Sequence, residues 1–330
     1  MSTATLMTGA TGCLGTALTR ALLDDGDRVV VLAQPGAGPG GLRDLLGHLE
    51  FRAGDVTDPE ALATAMHGID RVYHLAGIAV PLNSVADRMW QVNTVGSHAV
   101  ARAAAAAGVR RMVHVSSSAA IGYPPDHTIA DETFDPRNSV ADTAYGTTKR
   151  WGERLVLDAA TDDFEVVVVN PAAVYAPGGD PRWGWSRLVH AARRGLLRAA
   201  PSGGTAVCAV RDFVDGTRKA MRHGRSGRRY ILNSANLGYR EIAAALSIAL
   251  GRHHRIREVP APALRAVARV NAGIARLRTD PLRSSLLVPE NVDLMTRRLY
   301  YSQHRAVTEL GMTQTPVDQL FRDLIGGGAP

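Results

Sequence analysis

The chain is poor in cysteine, lysine and aromatic side chains, and each shortage removes a class of answer. Two cysteines, Cys13 and Cys208, among 330 residues cannot build a disulfide framework. Neither stands in a C-x-x-C or Cys/His pattern that would hold a metal, so no metal is expected. No run approaches the roughly eighteen uninterrupted apolar residues that a membrane span needs. The opening Met1-Ser2-Thr3-Ala4-Thr5 lacks the charged start of a secretory leader. These features predict a cytoplasmic protein with no membrane span. Lysine occurs only at Lys149 and Lys219, so the basic residues are almost all arginine. The formal net charge of +7 is spread along the chain rather than gathered into a tail or stripe. That distribution argues against a nucleic-acid partner and is accounted for by an anionic cofactor or small-molecule substrate.

What is present points to a large α/β core. The apolar content of 45% suffices to bury one core with a smaller lobe on it. The first half alternates short β-rich runs with amphipathic or alanine-rich stretches, the pattern of a doubly wound parallel sheet of Rossmann type. Strands are expected near residues 3–8, 28–33, 49–53, 71–75, 111–116 and 165–170, with helices near 14–23, 59–66, 84–107 and 145–160. Val29-Val30-Val31-Leu32 and Val166-Val167-Val168-Val169 are apolar without alternation, as strands covered on both faces are. After Pro171 the rhythm changes: residues 1–170 form the dinucleotide-binding unit, with 205–235 expected to rejoin it and Tyr230-Ile231-Leu232 as a seventh strand. Residues 171–204 and 236–330 form a mainly helical lobe.

Three motifs carry chemistry. Thr8-Gly9-Ala10-Thr11-Gly12-Cys13-Leu14-Gly15 follows the first strand and opens the first helix, where glycines let a pyrophosphate approach the free N–H groups of a helix start. Tyr145-Gly146-Thr147-Thr148-Lys149 puts a phenol and an ammonium on one helical face. A phenol with an ordinary pKa near 10 needs such a charge for acid/base work near neutrality. Ser116-Ser117-Ser118 ends the fifth strand at the carboxyl edge of the sheet, where doubly wound folds bind ligands.

In their order these motifs resemble the extended short-chain dehydrogenase/reductases, whose pattern is Thr-Gly-x-x-Gly-x-x-Gly. The resemblance runs over about residues 3–250 and implies an NAD(P)-dependent oxidoreductase. It implies cofactor contacts at Gly9, Thr11, Gly12, Cys13, Leu14 and Gly15, at Asp55 and Val56 after the third strand, and at Leu75-Ala76-Gly77 after the fourth. Asn93, Tyr145, Lys149 and Pro171 complete that set. It selects Ser117 as the catalytic serine, because Gly122 stands five residues later, with Tyr145 and Lys149 as its partners. Hydride transfer at nicotinamide, a proton from Tyr145 and a hydrogen bond from Ser117 is the mechanism it implies. Where an acidic residue would hold the ribose of NAD, or an arginine the phosphate of NADP, the chain has Gln34. With no carboxylate there and Arg43 further on, NADP(H) is favoured over NAD(H).

Asn170-Pro171-Ala172-Ala173-Val174-Tyr175-Ala176-Pro177-Gly178 resembles the segment that opens the substrate lobe, with Asn170 replacing the usual arginine. Ser118, Tyr175, Trp183 and Trp185 are candidate substrate contacts, the tryptophans as apolar walls for a ring. The tone is that of the dihydroflavonol-reductase and 3β-hydroxysteroid-dehydrogenase-like group, so the expected reaction is carbonyl reduction, or its reverse, on an apolar cyclic molecule. A nucleotide-sugar epimerase or dehydratase with retained nicotinamide shares the fold and the three catalytic residues. A non-catalytic NADP-sensing protein is the third reading. The resemblance also implies a homodimer.

Overall fold

A computed structural model describes residues 3–80, 85–177, 184–275 and 289–326. Seven parallel strands form the main sheet: β1 (Ala4–Thr8), β2 (Arg28–Ala33), β3 (Glu50–Ala53), β4 (Arg71–His74), β5 (Arg111–Val115), β6 (Glu165–Pro171) and β7 (Arg229–Leu232). Their order is β7-β6-β5-β4-β1-β2-β3. The chain therefore runs outward from β1 to β3 and restarts on the other side of β1, which makes the β1/β4 boundary the switch point where such folds open a crevice.

Both faces are buried, which explains the unbroken apolar runs. Leu6, Val30, Leu32, Val72, Met112 and Val166 face one layer, packed on Leu62, Val100, Ala104 and Val156. Their neighbours Met7, Val29, Val31, Tyr73, Val113 and Val167 face the other, packed on Leu18, Leu22, Phe213 and Val214. Successive side chains on opposite faces are what a strand requires. Here both sets are apolar.

The segment read as one helix over 84–107 is broken: Ala86–Met89 is α-helical, Trp90–Gly96 is a π-helical turn, and Ser97–Ala106 resumes the α-helix. The helix Val210–His223 packs on the main sheet through Phe213 and Val214, and β7 pairs with β6 at its edge. Gly204–Ala209, by contrast, leaves it and pairs with Ala235–Gly238, Ala173–Tyr175 and Arg298–Tyr301. Ile129–Ala130 adds a fifth strand beside Arg298–Tyr301, so a second sheet lies among the lobe's helices. Among the described residues no helix is long and apolar enough to cross a membrane.

Candidate active site

The glycine turn after β1 is fixed by contact. Gly9 has φ +71°, and a Cβ there would lie 2.6 Å from the Ala76 nitrogen. A Cβ on Gly15 would lie 2.1 Å from the Gly9 carbonyl oxygen. Neither position has room for a side chain. Gly12 is exposed and precedes the helix Cys13–Asp24, which has no side-chain cap, so the first-turn N–H groups stay free for an anion. This cradle fits a dinucleotide pyrophosphate. Thr11 is half-buried beside it, Cys13 donates from Sγ to the Pro177 carbonyl at 3.2 Å, and Leu14 reaches the cleft.

At the far end of the crevice the Gln34 amide donates to the Asp55 carboxylate. Partial burial works to raise the Asp55 carboxyl, but the Thr57 amide and hydroxyl at 2.9 and 2.8 Å, with Gln34, outweigh it and hold it below its ordinary value. Val56 is buried beside it. Leu75 and Gly77 line the cleft, and the Ala76 amide donates to the Thr8 hydroxyl at 3.1 Å.

The helix Ala144–Leu157 carries the phenol and the ammonium, and is capped by Thr143, whose hydroxyl accepts from the Gly146 amide at 3.0 Å. The half-buried Tyr145 shares the cleft with Ser117, whose hydroxyl favours the phenolate. Burial pushes the Tyr145 phenol up and Ser117 opposes this in part. Ser117 also caps the short helix Ser118–Ile121, accepting from the Ala119 amide at 3.2 Å. Lys149 is buried and donates from Nζ to the Val115 carbonyl at 2.8 Å. Burial lowers its pKa from 10.5 to about 8, and the Glu153 carboxylate works the other way.

Asn93, on the π-helical turn, is fully buried. Its Oδ1 accepts from the Ile78 amide at 2.7 Å, while its Nδ2 donates to the Ile78 carbonyl at 3.0 Å and to the Thr148 hydroxyl at 3.2 Å. It therefore clamps the loop after β4 to the catalytic helix. A second link was not legible in the sequence. The Ser97 hydroxyl donates to the Asn93 carbonyl at 2.7 Å, so it accepts from His74 Nε2 at 2.9 Å, and His74 Nδ1 accepts from the Thr8 hydroxyl at 2.6 Å. Burial lowers the His74 pKa to about 3, so a neutral ring of one tautomer joins the glycine turn to the π-helical turn.

Glu153 is the other residue the motifs did not reveal. It is buried, accepts from Asn170 Nδ2 at 2.6 Å and pairs with Arg229 at 3.0 Å. Asn170, standing where the resemblance implied an arginine, is spent on this carboxylate and on the Ser117 carbonyl at 3.0 Å. Glu153 does not line the cleft and bears on it through Lys149. Because a lysine keeps its charge only below its pKa, the charge in the cleft beside Tyr145 fades as pH rises through about 8. Glu153→Gln removes a carboxylate that raises that value. The alkaline limb of the kcat/KM profile is expected to move to lower pH, whereas an unmoved limb would show that Glu153 serves folding alone.

The cleft is a cavity of about 490 Å³ in which Leu14, Gly77, Ser117, Ser118, Tyr145, Lys149, Pro171 and Trp185 come together. Tyr175 does not line it: this residue is buried in the lobe, stacked on Trp185 at 4.7 Å and edge-on to Phe321 at 5.5 Å. Trp183 lies outside the described residues. Tyr123, Thr205, Leu299 and Tyr301 line the cleft without having been expected. Tyr301 donates to the Gly122 carbonyl at 2.7 Å and contacts Ser118, arriving on a strand of four residues that carries no motif.

Residues 5–233 match the model of the NAD dependent epimerase/dehydratase family. Sterol demethylase protein B of Methylococcus capsulatus is 30% identical over 328 residues, covering 97% of this chain and 97% of that protein. The 4-hydroxy-2-methyl-3-oxo-4-farnesyl-3,4-dihydroquinoline-1-oxide ketoreductase of Stigmatella aurantiaca is 28% identical over 335 residues, covering 99% and 96%. Among solved structures, that of gox2253 superposes with a TM-score of 0.81 at 26% identity, covering 98% and 97%.

Proposed function

We propose, since this chain belongs to the NAD-dependent epimerase/dehydratase family, that it reduces a carbonyl, or oxidises the matching alcohol, on an apolar cyclic molecule. The chain is an oxidoreductase of the extended short-chain dehydrogenase/reductase type. One observation carries the finer reading: Tyr145, Ser117 and buried Lys149 line one cleft whose other walls are largely apolar. Lys149 is the one cation among the described residues lining it. A nucleotide-sugar diphosphate calls for more positive charge than that, and position 170, where an arginine could have supplied it, holds the neutral Asn170, buried against Glu153.

The residues would divide the work as follows. Gly9, Gly12 and Gly15 with the helix start would hold the pyrophosphate, Asp55 and Val56 the adenine end, and Asn93, Tyr145 and Lys149 the nicotinamide end. A bound nicotinamide supplies or accepts the hydride. Tyr145, kept protonated by burial, donates its proton to the substrate oxygen. The Ser117 hydroxyl donates a hydrogen bond as negative charge builds there. Lys149 has three N–H donors, of which one is held by Val115, and its charge eases the loss of the Tyr145 proton by stabilising the phenolate left behind.

NADP(H) is the favoured cofactor, because position 34 itself carries no carboxylate to repel a phosphate and Arg43, further along the chain, is exposed. A homodimer is supported by exposed apolar side chains on adjoining helices, Trp90 at 39%, Val95 at 42% and Trp151 at 51%; sedimentation velocity reads its mass. Oxidation of NADPH and NADH by the purified protein, followed against cyclic and aromatic ketones, tests the function. Faster turnover with NADPH is expected. Silence with every ketone, with nicotinamide retained through purification, would favour an epimerase or dehydratase instead.

A further inference from the structure

A second cavity, of about 290 Å³, lies behind the wall of the catalytic cleft. The two spaces share Trp185 and Leu299. Beyond them the second is lined by Leu188, Leu197, Ala243, Leu294 and Met295, and its polar side chains are Tyr239 and Asn291. The helices Gly184–Arg193, Tyr239–Ala249 and Pro289–Met295 and the strand Ala199–Pro201 build it. All belong to the lobe. At this strand and on the Tyr239 helix the side chains are small, with Ala199, Ala200 and Ala243 facing the space.

We propose that this chamber receives an aliphatic tail, alkyl or isoprenoid, of the substrate whose carbonyl lies at Tyr145. The proposal rests on the reading of the cleft as a carbonyl-reducing site and adds the shape of what enters it. Water gains little from the surface there, because so apolar a lining offers few of the two to four polar partners an ordered water needs. A charged or sugar-like group would lose its hydration there without repayment. Trp185 sets the boundary between head and tail. It is stacked between Tyr175 at 4.7 Å and Tyr239 at 6.3 Å, which holds the indole as a fixed partition. A ring placed in the cleft would rest on Trp185, and a flexible chain attached to it could pass Leu299 into the chamber.

The test is a series of 2-alkylcyclopentanones with side chains from methyl to octyl, assayed for kcat/KM with saturating NADPH. Each buried methylene is worth about a factor of three to four. The wild-type protein is expected to gain steeply with chain length, chiefly through KM, and then level off. Ala243→Leu, which fills the chamber floor, is expected to flatten that gain; Leu188→Phe fills it from the neighbouring helix should the first variant not fold. A flat wild-type series, or a gain untouched by a folded filling variant, overturns the proposal. Decanol binding, followed by tryptophan fluorescence, separates the two readings. Saturable binding abolished by the filling variant, with no ketone turned over, would uphold the chamber and reject carbonyl reduction. Absence of decanol binding together with a flat ketone series would reject the chamber alone.

Discussion

Tyr145→Phe is expected to lower kcat by about 10²–10⁴-fold, the range a positioned general acid contributes, while dinucleotide affinity changes by less than about threefold. The asymmetry follows from where the phenol points. Its hydroxyl meets Ser117 and the cleft, whereas the pyrophosphate cradle is formed by backbone at Gly9, Gly12 and Gly15. Removing one oxygen leaves the ring in place, so the helix Ala144–Leu157 and its buried Lys149 keep their positions. Steady-state kinetics beside a direct titration of NADPH checks both halves. A variant retaining more than about a tenth of wild-type kcat would remove Tyr145 as the acid.

Two glycines of the cradle are expected to fail in different ways. On Gly15 a Cβ would lie 2.1 Å from the Gly9 oxygen, with backbone atoms of Ala10 at 2.7 and 2.9 Å. Gly15→Ala must push the helix off the strand, at a cost on the order of 1–3 kcal/mol or more, and binding should fall with stability. On Gly12 the nearest atom is the Gly9 oxygen at 3.4 Å, with φ −74°. Gly12→Ala should fold within about 0.5 kcal/mol of wild type, yet it sets a methyl group where the pyrophosphate must approach. Its NADPH affinity should drop by about tenfold or more, with thermal stability unchanged in the absence of nucleotide. Equal effects of the two substitutions on stability would contradict this division.

The main sheet could be read from the chain because burial on both faces leaves unbroken apolar runs such as Val166 to Val169. The glycine turn was legible because its position after a strand is itself information. The π-helical turn was not: an alanine-rich helix carries no mark of one extra residue per turn, and the wide turn at Trp90–Gly96 shows only when Gly152 is seen against it. A Cβ on Gly152 would lie 2.0 Å from the Asn93 carbonyl oxygen. The strands of the second sheet are two to six residues long, most of them at or below the short end of the four to eight residues over which alternation can be read.

Glu153 illustrates the limit best. A glutamate four residues after a lysine reads as a solvated helix pair, and its burial depends on Asn170 and on Arg229, 76 positions away. Tyr175 illustrates the converse. Its motif placed it near the substrate, but packing on Trp185 and Phe321 turned it into the lobe, and Trp185 took the place at the cleft wall.

Tyr145-dependent carbonyl reduction is tested most directly by isotope transfer. With NADPH deuterated on the transferring face of nicotinamide C4 and a cyclic ketone accepted by the protein, the account predicts one deuterium at the carbinol carbon of the product. It also predicts one cofactor consumed per alcohol formed, both lost in Tyr145→Phe. Product without deuterium, or substrate converted with no net consumption of NADPH, would contradict it.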